Sequence, residues 1–136
     1  MKIEQIQQIT IIGLGRMGHG IAQTFAMAGY RVCGFDESSD ARQNVHSRIR
    51  CNLDAFVANG LLNEAEVDPI LGHIEIFDRE SQAATDAQFV VEAIAEELTA
   101  KQEFFARIEE AVKEETIIAS NSSTFTISES SKNMRR

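Results

Sequence analysis

Short apolar runs alternate along the chain with longer stretches in which apolar residues recur every three or four positions. The runs are predicted strands over residues 9–12, 31–35, 74–77, 89–91 and 116–119. The stretches between them have the spacing of amphipathic helices. Strands that are continuous apolar runs are typical of a parallel sheet covered on both faces. The pattern therefore predicts an α/β fold with a doubly wound parallel sheet in three layers, α/β/α.

The helical pattern is clearest in three stretches. A first helix is predicted to begin near Arg16 and to end before Gly29, where a left-handed cap is expected. Its expected inner face comprises Met17, Ile21, Phe25 and Ala28. A long helix over residues 38–59, followed by a short one near 63–72, forms a helical excursion after the second strand. A third amphipathic helix is predicted over residues 98–113.

Composition narrows the function classes. The chain has 136 residues, 43% hydrophobic and 25% charged, which fits one globular domain over residues 1–136. The net charge of −8 leaves only Arg135-Arg136 as a basic cluster, so no nucleic-acid partner is expected. No apolar run is long enough to predict a membrane span. Cys33 and Cys51 lack metal-ligand spacing; we expect buried free thiols, no metal and a cytoplasmic location.

A glycine motif follows the first predicted strand and opens the first predicted helix. Its residues are Gly13, Leu14, Gly15, Arg16, Met17 and Gly18. In a βαβ unit, such glycines allow a tight turn, close approach to a pyrophosphate and close packing of the helix against the sheet. Gly20 is expected to be a further position of close packing. The motif predicts a Rossmann-type dinucleotide site; a turn that binds nothing is the alternative.

Asp36 ends the second predicted strand, 18 residues after Gly18. A carboxylate at this position accepts hydrogen bonds from the adenosine ribose and repels a 2′-phosphate, which favours NAD over NADP. Glu37 adds to that repulsion. The alternative is a helix cap or an exposed loop acid.

Hydroxyl and amide side chains follow the last predicted strand, over residues 120–124. They are expected at the ligand crevice, where they could orient a ribose and a substrate hydroxyl; capping of a helix near Ile127 is the alternative. The three histidines, His19, His46 and His73, are expected at surface or helix-terminal positions rather than in catalysis.

Three segments together resemble the NAD-binding domain of the 3-hydroxyacyl-CoA dehydrogenase family. They are residues 11–22, residues 90–98 with Lys101, and residues 119–123. The first is also similar to the 3-hydroxyisobutyrate and 6-phosphogluconate dehydrogenases, while the other two are more specific. The resemblance covers the chain from about residue 9 onward.

The resemblance implies a role for each matching position. Residues 13–18 would hold the NAD pyrophosphate, and Asp36 the adenosine ribose. Glu96 and Lys101 would lie near the nicotinamide ribose, and Asn121 beside the nicotinamide. Ser123 would be the catalytic serine that binds the 3-oxygen of an acyl-CoA substrate.

The family also has a catalytic histidine and a helical second domain that provides dimer contacts, and neither is matched before Arg136. We therefore expect the first half of a longer, homodimeric enzyme that interconverts 3-hydroxyacyl-CoA and 3-oxoacyl-CoA with NAD. The alternatives are the cofactor domain of a free β-hydroxyacid dehydrogenase and a non-enzymatic NAD-sensing module.

Overall fold

The computed structural model describes residues 3–135. Met1, Lys2 and Arg136 lie outside the described residues. Of the basic cluster expected at Arg135-Arg136, the structure therefore describes Arg135 alone. The elements, in chain order, are a 3₁₀ helix Ile3–Gln5, β1 Gln8–Ile12, α1 Gly18–Met27, β2 Arg31–Phe35, α2 Ser39–Ala58, α3 Glu64–Gly72, β3 Ile74–Ile76, α4 Glu80–Ala84, β4 Phe89–Glu92, α5 Leu98–Ala111, β5 Ile117–Ser120 and α6 Ile127–Ser130.

The five strands form one parallel sheet in the order β3-β2-β1-β4-β5. The central strand β1 pairs with β2 from Gln8↔Arg31 to Ile12↔Phe35, and with β4 along its other edge. The chain thus winds outward from β1 through β2 to β3 and then returns to β4 and β5. This confirms the predicted doubly wound fold and places a crevice beyond the carboxyl ends of β1 and β4.

Two apolar cores lie on opposite faces of the sheet, because successive side chains of a strand point to opposite sides. Ile9 and Ile11 of β1 pack with α1, α2 and α3, whereas Ile12 packs with α4 and α5. Phe104 and Phe105 of α5 are fully enclosed in the second core. These cores supply the two outer layers of the predicted α/β/α arrangement, and α2 with α3 forms the predicted helical excursion after β2.

The predicted inner face of α1 is correct for Ile21 and Phe25, which pack against the first core, and wrong for Met17 and Ala28, which are exposed. The helix begins at Gly18 rather than Arg16, and its buried residues are Gly18, Ala22, Gln23 and Ala26. Met17 is 57% exposed in the loop before the helix. Small side chains allow α1 to pack close to the sheet, whereas the periodicity argument favours the larger apolar side chains.

The long helix α2 follows its predicted pattern more closely. The Ser38 hydroxyl accepts a hydrogen bond from the N–H of Ala41 and so caps the helix, and Val45, Ile49 and Leu53 are buried. Cys51 is exposed, which contradicts the expectation of a buried thiol. It lies two residues from both Ile49 and Leu53, and residues two apart on a helix do not share a face.

Cys33 is buried in β2, as predicted. Desolvation raises the pKa of its thiol to about 11. Because the thiolate is the reactive form, this cysteine is expected to be chemically inert.

Contact between α1 and the end of β1 depends on two glycines. Gly13 has a φ of +94°, and a Cβ there would lie 2.4 Å from the carbonyl oxygen of Ala93. A Cβ on Gly18 would lie 1.7 Å from the carbonyl oxygen of Gly13. A Cβ on Gly20 would meet nothing within 4 Å, so the expectation that Gly20 is needed for close packing is wrong.

This difference between neighbouring glycines predicts opposite effects of one substitution. Gly18→Ala should lower the free energy of unfolding by about 2 kcal/mol or more, because the new methyl group forces α1 away from the loop. Gly20→Ala should raise it by up to about 1 kcal/mol, because alanine favours the helix interior. Urea unfolding followed by circular dichroism measures both, and equal midpoints for the two variants would contradict the close contact.

Candidate functional site

The glycine loop over residues 13–17 has the geometry of an anion cradle. Within the described part of the chain, the N–H groups of Gly15, Arg16 and Met17 donate no hydrogen bond. A Cβ on Gly15 would meet nothing within 4 Å, so the space beside this residue is open. Unsatisfied N–H groups at the start of a helix favour a phosphate through hydrogen bonds and the helix dipole. The loop therefore fits a pyrophosphate.

Arg48 supports this loop from the helix α2. Its guanidinium donates hydrogen bonds to the carbonyl oxygens of Leu14, at 3.0 Å, and Gly15, at 3.3 Å. His19 Nδ1 lies 2.8 Å from the same Gly15 oxygen and 3.1 Å from the Arg48 guanidinium. These contacts hold the loop carbonyls on the side facing α2. Sequence reasoning missed Arg48, because only the fold brings position 48 beside position 15.

Asp36 links the glycine loop to the start of α2. Its carboxylate accepts hydrogen bonds from the N–H of Leu14 at 2.7 Å and from the N–H of Ser38 at 2.8 Å. The helix cap itself is Ser38, so the capping alternative for Asp36 does not describe its position. The N–H of Leu14 already has an acceptor, and its side chain is buried in the core. Neither the N–H nor the side chain of Leu14 is therefore free to contact a cofactor directly.

A cavity of about 380 Å³, here called the Asp36 cavity, lies between the carboxyl ends of β1 and β2 and the start of α5. Gly13, Gly15 and Asp36 line it. Its acidic lining residues also include Glu37, Glu80, Glu97 and Glu103. Among the described residues, the one basic side chain that lines it is Arg107, which forms a two-pronged ion pair with Glu80 at 2.7 and 2.8 Å.

A second cavity of about 400 Å³, here called the Ser123 cavity, adjoins the first at Gly15. It brings together the remaining predicted site residues, which are Arg16, Met17, Glu96, Lys101, Asn121 and Ser123. Arg16, Met17, Asn121 and Ser123 are exposed at this edge of the sheet. The two cavities together span the ends of β2, β1, β4 and β5.

Lys101 and Glu92 form a buried ion pair at this crevice. The side chain of Lys101 is 1% exposed, and its ammonium lies 2.8 Å from Glu92 Oε1 and 3.1 Å from Glu96 Oε2. Glu92 is completely buried and also accepts a hydrogen bond from the N–H of Ile94 at 2.8 Å. A buried charge requires such pairing, because desolvation of an isolated ion is very costly.

The loop after β5 is tied into the same network. The Ser120 hydroxyl donates to Glu92 Oε2 at 2.5 Å and accepts from the N–H of Ser122 at 3.0 Å. The Ser122 hydroxyl donates to Glu96, which also accepts from the N–H of Thr124 at 3.2 Å. The cap of α6 is Thr126, so residues 120–124 do not serve the capping role considered as an alternative.

Sequence reasoning gave no role to Glu92 and only a general one to Ser120. A carboxylate ending a buried apolar strand is the signal that could have singled out Glu92. Apart from the neighbouring N–H of Ile94, its partners are Lys101 and Ser120, which only the fold brings beside it. Among residues 3–135, no group of three or more potential metal ligands is present. In that range no helix is long and apolar enough to cross a membrane.

The charge of Glu96 gives a pH test of this network. Its pKa is lowered to about 2, chiefly by the hydrogen bond from the Ser122 hydroxyl, with Lys101 and the N–H of Thr124 contributing. Because the pKa is lower in the folded state, the stabilisation is present above pH 4.5 and is lost as the pH falls towards 2. The urea midpoint of the wild type should therefore be higher than that of Glu96→Gln at pH 7. The difference between the two midpoints should be smaller at pH 3.5. A constant difference across this range would contradict the assigned contacts.

Comparison with known proteins gives a consistent result. A family profile described as "3-hydroxyacyl-CoA dehydrogenase, NAD binding domain" matches residues 8–136. The chain is 37% identical over 125 residues to a probable 3-hydroxybutyryl-CoA dehydrogenase of Bacillus subtilis, covering 92% of this chain and 43% of that protein. It is 31% identical over 129 residues to the 3-hydroxybutyryl-CoA dehydrogenase of Clostridioides difficile, covering 95% and 46%.

Among solved structures, the (S)-3-hydroxybutyryl-CoA dehydrogenase of Ralstonia eutropha superimposes with a TM-score of 0.90 at 30% identity. The superposition covers 97% of this chain and 46% of that one. The chain thus spans about half the length of the relatives it matches. The matched profile is the acyl-CoA family rather than the free hydroxyacid family considered from the sequence. The chain therefore belongs to the 3-hydroxyacyl-CoA dehydrogenase family, and its residues 8–136 correspond to the NAD-binding domain of that family.

Proposed function

We propose that residues 1–136 form one NAD-binding domain, and that the whole protein is an NAD-dependent 3-hydroxyacyl-CoA dehydrogenase. The observation that carries this proposal is the alignment of three features along one crevice. The glycine loop lies at its centre, Asp36 lies at the end of β2, and the Lys101 and Ser123 group lies at the ends of β4 and β5. A dinucleotide extends across the crevice of a doubly wound sheet in this way.

The direction of the cofactor follows from the charges. Its pyrophosphate would lie over the free N–H groups of residues 15–17, and its adenosine in the Asp36 cavity. Asp36 can accept hydrogen bonds from ribose hydroxyls, and the acidic residues around it would repel the 2′-phosphate of NADP. The preference for NAD therefore has two supports, the ribose contacts of Asp36 and the negative field of the cavity.

The Ser123 cavity would then receive the nicotinamide half of NAD and the reacting end of the substrate. NAD, when bound, supplies the hydride acceptor, and this chain's residues orient the two reactants. The exposed Ser123 hydroxyl would hydrogen-bond the 3-oxygen of a 3-hydroxyacyl-CoA, with Asn121 beside it. Oxidation of an alcohol also requires a group that accepts the hydroxyl proton.

None of the described residues lining this cavity is suited to accept that proton. No histidine lines it within residues 3–135. Glu96 does line it, but a carboxylate with a pKa of about 2 is a weak base. Glu92 also lines it, but its side chain is fully buried and both of its oxygens already accept hydrogen bonds. We therefore propose that the proton acceptor lies outside these 136 residues. On this proposal the chain binds NAD but has little or no catalytic activity by itself.

Calorimetric titration tests the role of Asp36. The chain should bind NAD⁺ with micromolar or weaker affinity and bind NADP⁺ more weakly. Asp36→Asn should weaken NAD⁺ binding by about tenfold, the size of one charge-assisted hydrogen bond, and narrow the difference between the cofactors. Glu75→Gln is a matched control, because it removes a charge that pairs with Arg31 at the opposite end of β2. Equal affinity of the wild type for both cofactors would overturn the role of Asp36.

A second experiment tests the division between binding and catalysis. The chain should bind NADH, detected by a change in its fluorescence, yet give no measurable oxidation of NADH at 340 nm with acetoacetyl-CoA. A full-length member of the family, assayed in parallel, shows that the reagents are competent. Turnover by the 136-residue chain at the rate of that enzyme would refute the proposal that the proton acceptor lies outside it.

A further inference from the structure

Glu92 is a buried carboxylate, paired with Lys101, that has no assigned role in the proposed NAD site. It ends β4, between β1 and β5, and its side chain has no exposed surface. Glu92 lies in the wall of the Ser123 cavity, but its carboxylate has no exposed surface and is already paired with Lys101 and Ser120, so it offers no free atom to a ligand there. It can act on one only through the residues that it contacts.

Those contacts lead to both walls of the Ser123 cavity. Glu92 Oε1 accepts from the ammonium of Lys101, on α5, and from the N–H of Ile94. Glu92 Oε2 accepts from the hydroxyl of Ser120, on β5. One carboxylate therefore links the loop after β4, the helix α5 and the end of β5.

The contact of Glu92 with Lys101 fixes the direction of an ammonium that lines the cavity. An ammonium has three donors, and two of them are used by Glu92 and Glu96. Because Lys101 also lines the Ser123 cavity, its third donor is the one available to a hydroxyl group there. Without Glu92, Lys101 would be held only by Glu96, whose side chain is 40% exposed.

The contact of Glu92 with Ser120 fixes the loop after β5, on the other wall of the cavity. The N–H of Asn121 donates to the backbone oxygen of Glu92 at 2.8 Å, and the N–H of Ser122 donates to the Ser120 hydroxyl. The side chain and backbone of Glu92 therefore both anchor the loop that presents Asn121 and Ser123.

The half of the cofactor affected follows from the topology. Adenosine on the Asp36 side of β1 leaves the other half of a dinucleotide over β4 and β5, where Glu92 lies. We propose that Glu92 is a positioning residue for the nicotinamide riboside half of NAD, acting through Lys101 and Ser120. This inference rests on the proposed NAD binding. It adds that affinity for one half of the cofactor depends on a carboxylate that does not touch it.

The amide of Glu92→Gln cannot accept hydrogen bonds from both Lys101 and Ser120 in the way the carboxylate does. If its oxygen faces Lys101, its NH₂ group faces Ser120, and the Ser120 hydroxyl loses the acceptor to which it donates. If its oxygen faces Ser120, its NH₂ group faces the Lys101 ammonium and the N–H of Ile94, which are all donors. Either orientation disturbs one wall of the cavity while the side-chain volume stays nearly constant.

The test compares NAD⁺ with ADP, which has the adenosine and both phosphates but no nicotinamide riboside. Calorimetry should show that the wild type binds NAD⁺ more tightly than ADP. Glu92→Gln should weaken NAD⁺ binding by about tenfold and leave ADP binding within about twofold of the wild type, because one charge-assisted contact is lost on one side only. Ser120→Ala, which keeps the Lys101 ion pair, should show a smaller loss for NAD⁺ and none for ADP.

Thr10→Val is the matched control for a purely structural effect. It removes the buried hydrogen bond from the Thr10 hydroxyl to the oxygen of Ala83, at 2.6 Å, on the α4 side of β1. It should lower the thermal unfolding midpoint without changing the ratio of NAD⁺ to ADP affinity. If Glu92→Gln does not fold, Ser120→Ala decides the question by the same ratio.

The outcomes separate the inference from the function on which it rests. A wild type that binds neither NAD⁺ nor ADP overturns the proposed function, and the inference with it. A wild type that binds both equally, or variants that lose both ligands to the same extent, overturn the inference alone. Variants with unchanged affinity for NAD⁺ also overturn it.

Discussion

The contact between the Cα of Gly18 and the carbonyl of Gly13 is the constraint on which the crevice depends. It lets α1 begin directly beyond β1, with its first N–H groups facing the crevice. A side chain at either glycine would overlap a backbone atom, so the loop would have to move. Because Ala93 packs against Gly13, the same contact fixes the start of the loop after β4. The two cavities meet at this point.

The two sides of the crevice are held by different physical means. On the Asp36 side, the backbone provides the geometry, and Asp36 itself bridges two main-chain N–H groups. On the Ser123 side, a network of buried side chains provides it. Glu92 and Lys101 lose their hydration there, and this cost is offset only because each makes several good hydrogen bonds. Loss of one partner would therefore affect several others.

This difference explains how much could be predicted from the sequence. The apolar runs predicted the five parallel strands, because buried strands need continuous apolar segments. The glycine motif predicted the loop geometry, because its requirements are local. The face of α1 was predicted only in part: Ile21 and Phe25 pack against the core as expected, but Met17 is exposed, and the most buried positions of the helix include glycine and alanine. The partners of Arg48 and Glu92 could not be assigned from spacing, because the contacts of Arg48 with the glycine loop and of Glu92 with Lys101 and Ser120 depend on the fold.

The same distinction bears on where specificity arises within the fold. A cradle made of backbone N–H groups requires glycines and a helix start, so it suits any cofactor with a pyrophosphate. A network of side chains requires particular residues at four separate segments, here Glu92, Glu96, Lys101 and Ser120. Consistent with this, segments 90–98 and 119–123, which contribute to that network, were the more specific part of the family resemblance. The side-chain wall of the crevice therefore places more demands on the sequence than the backbone cradle does.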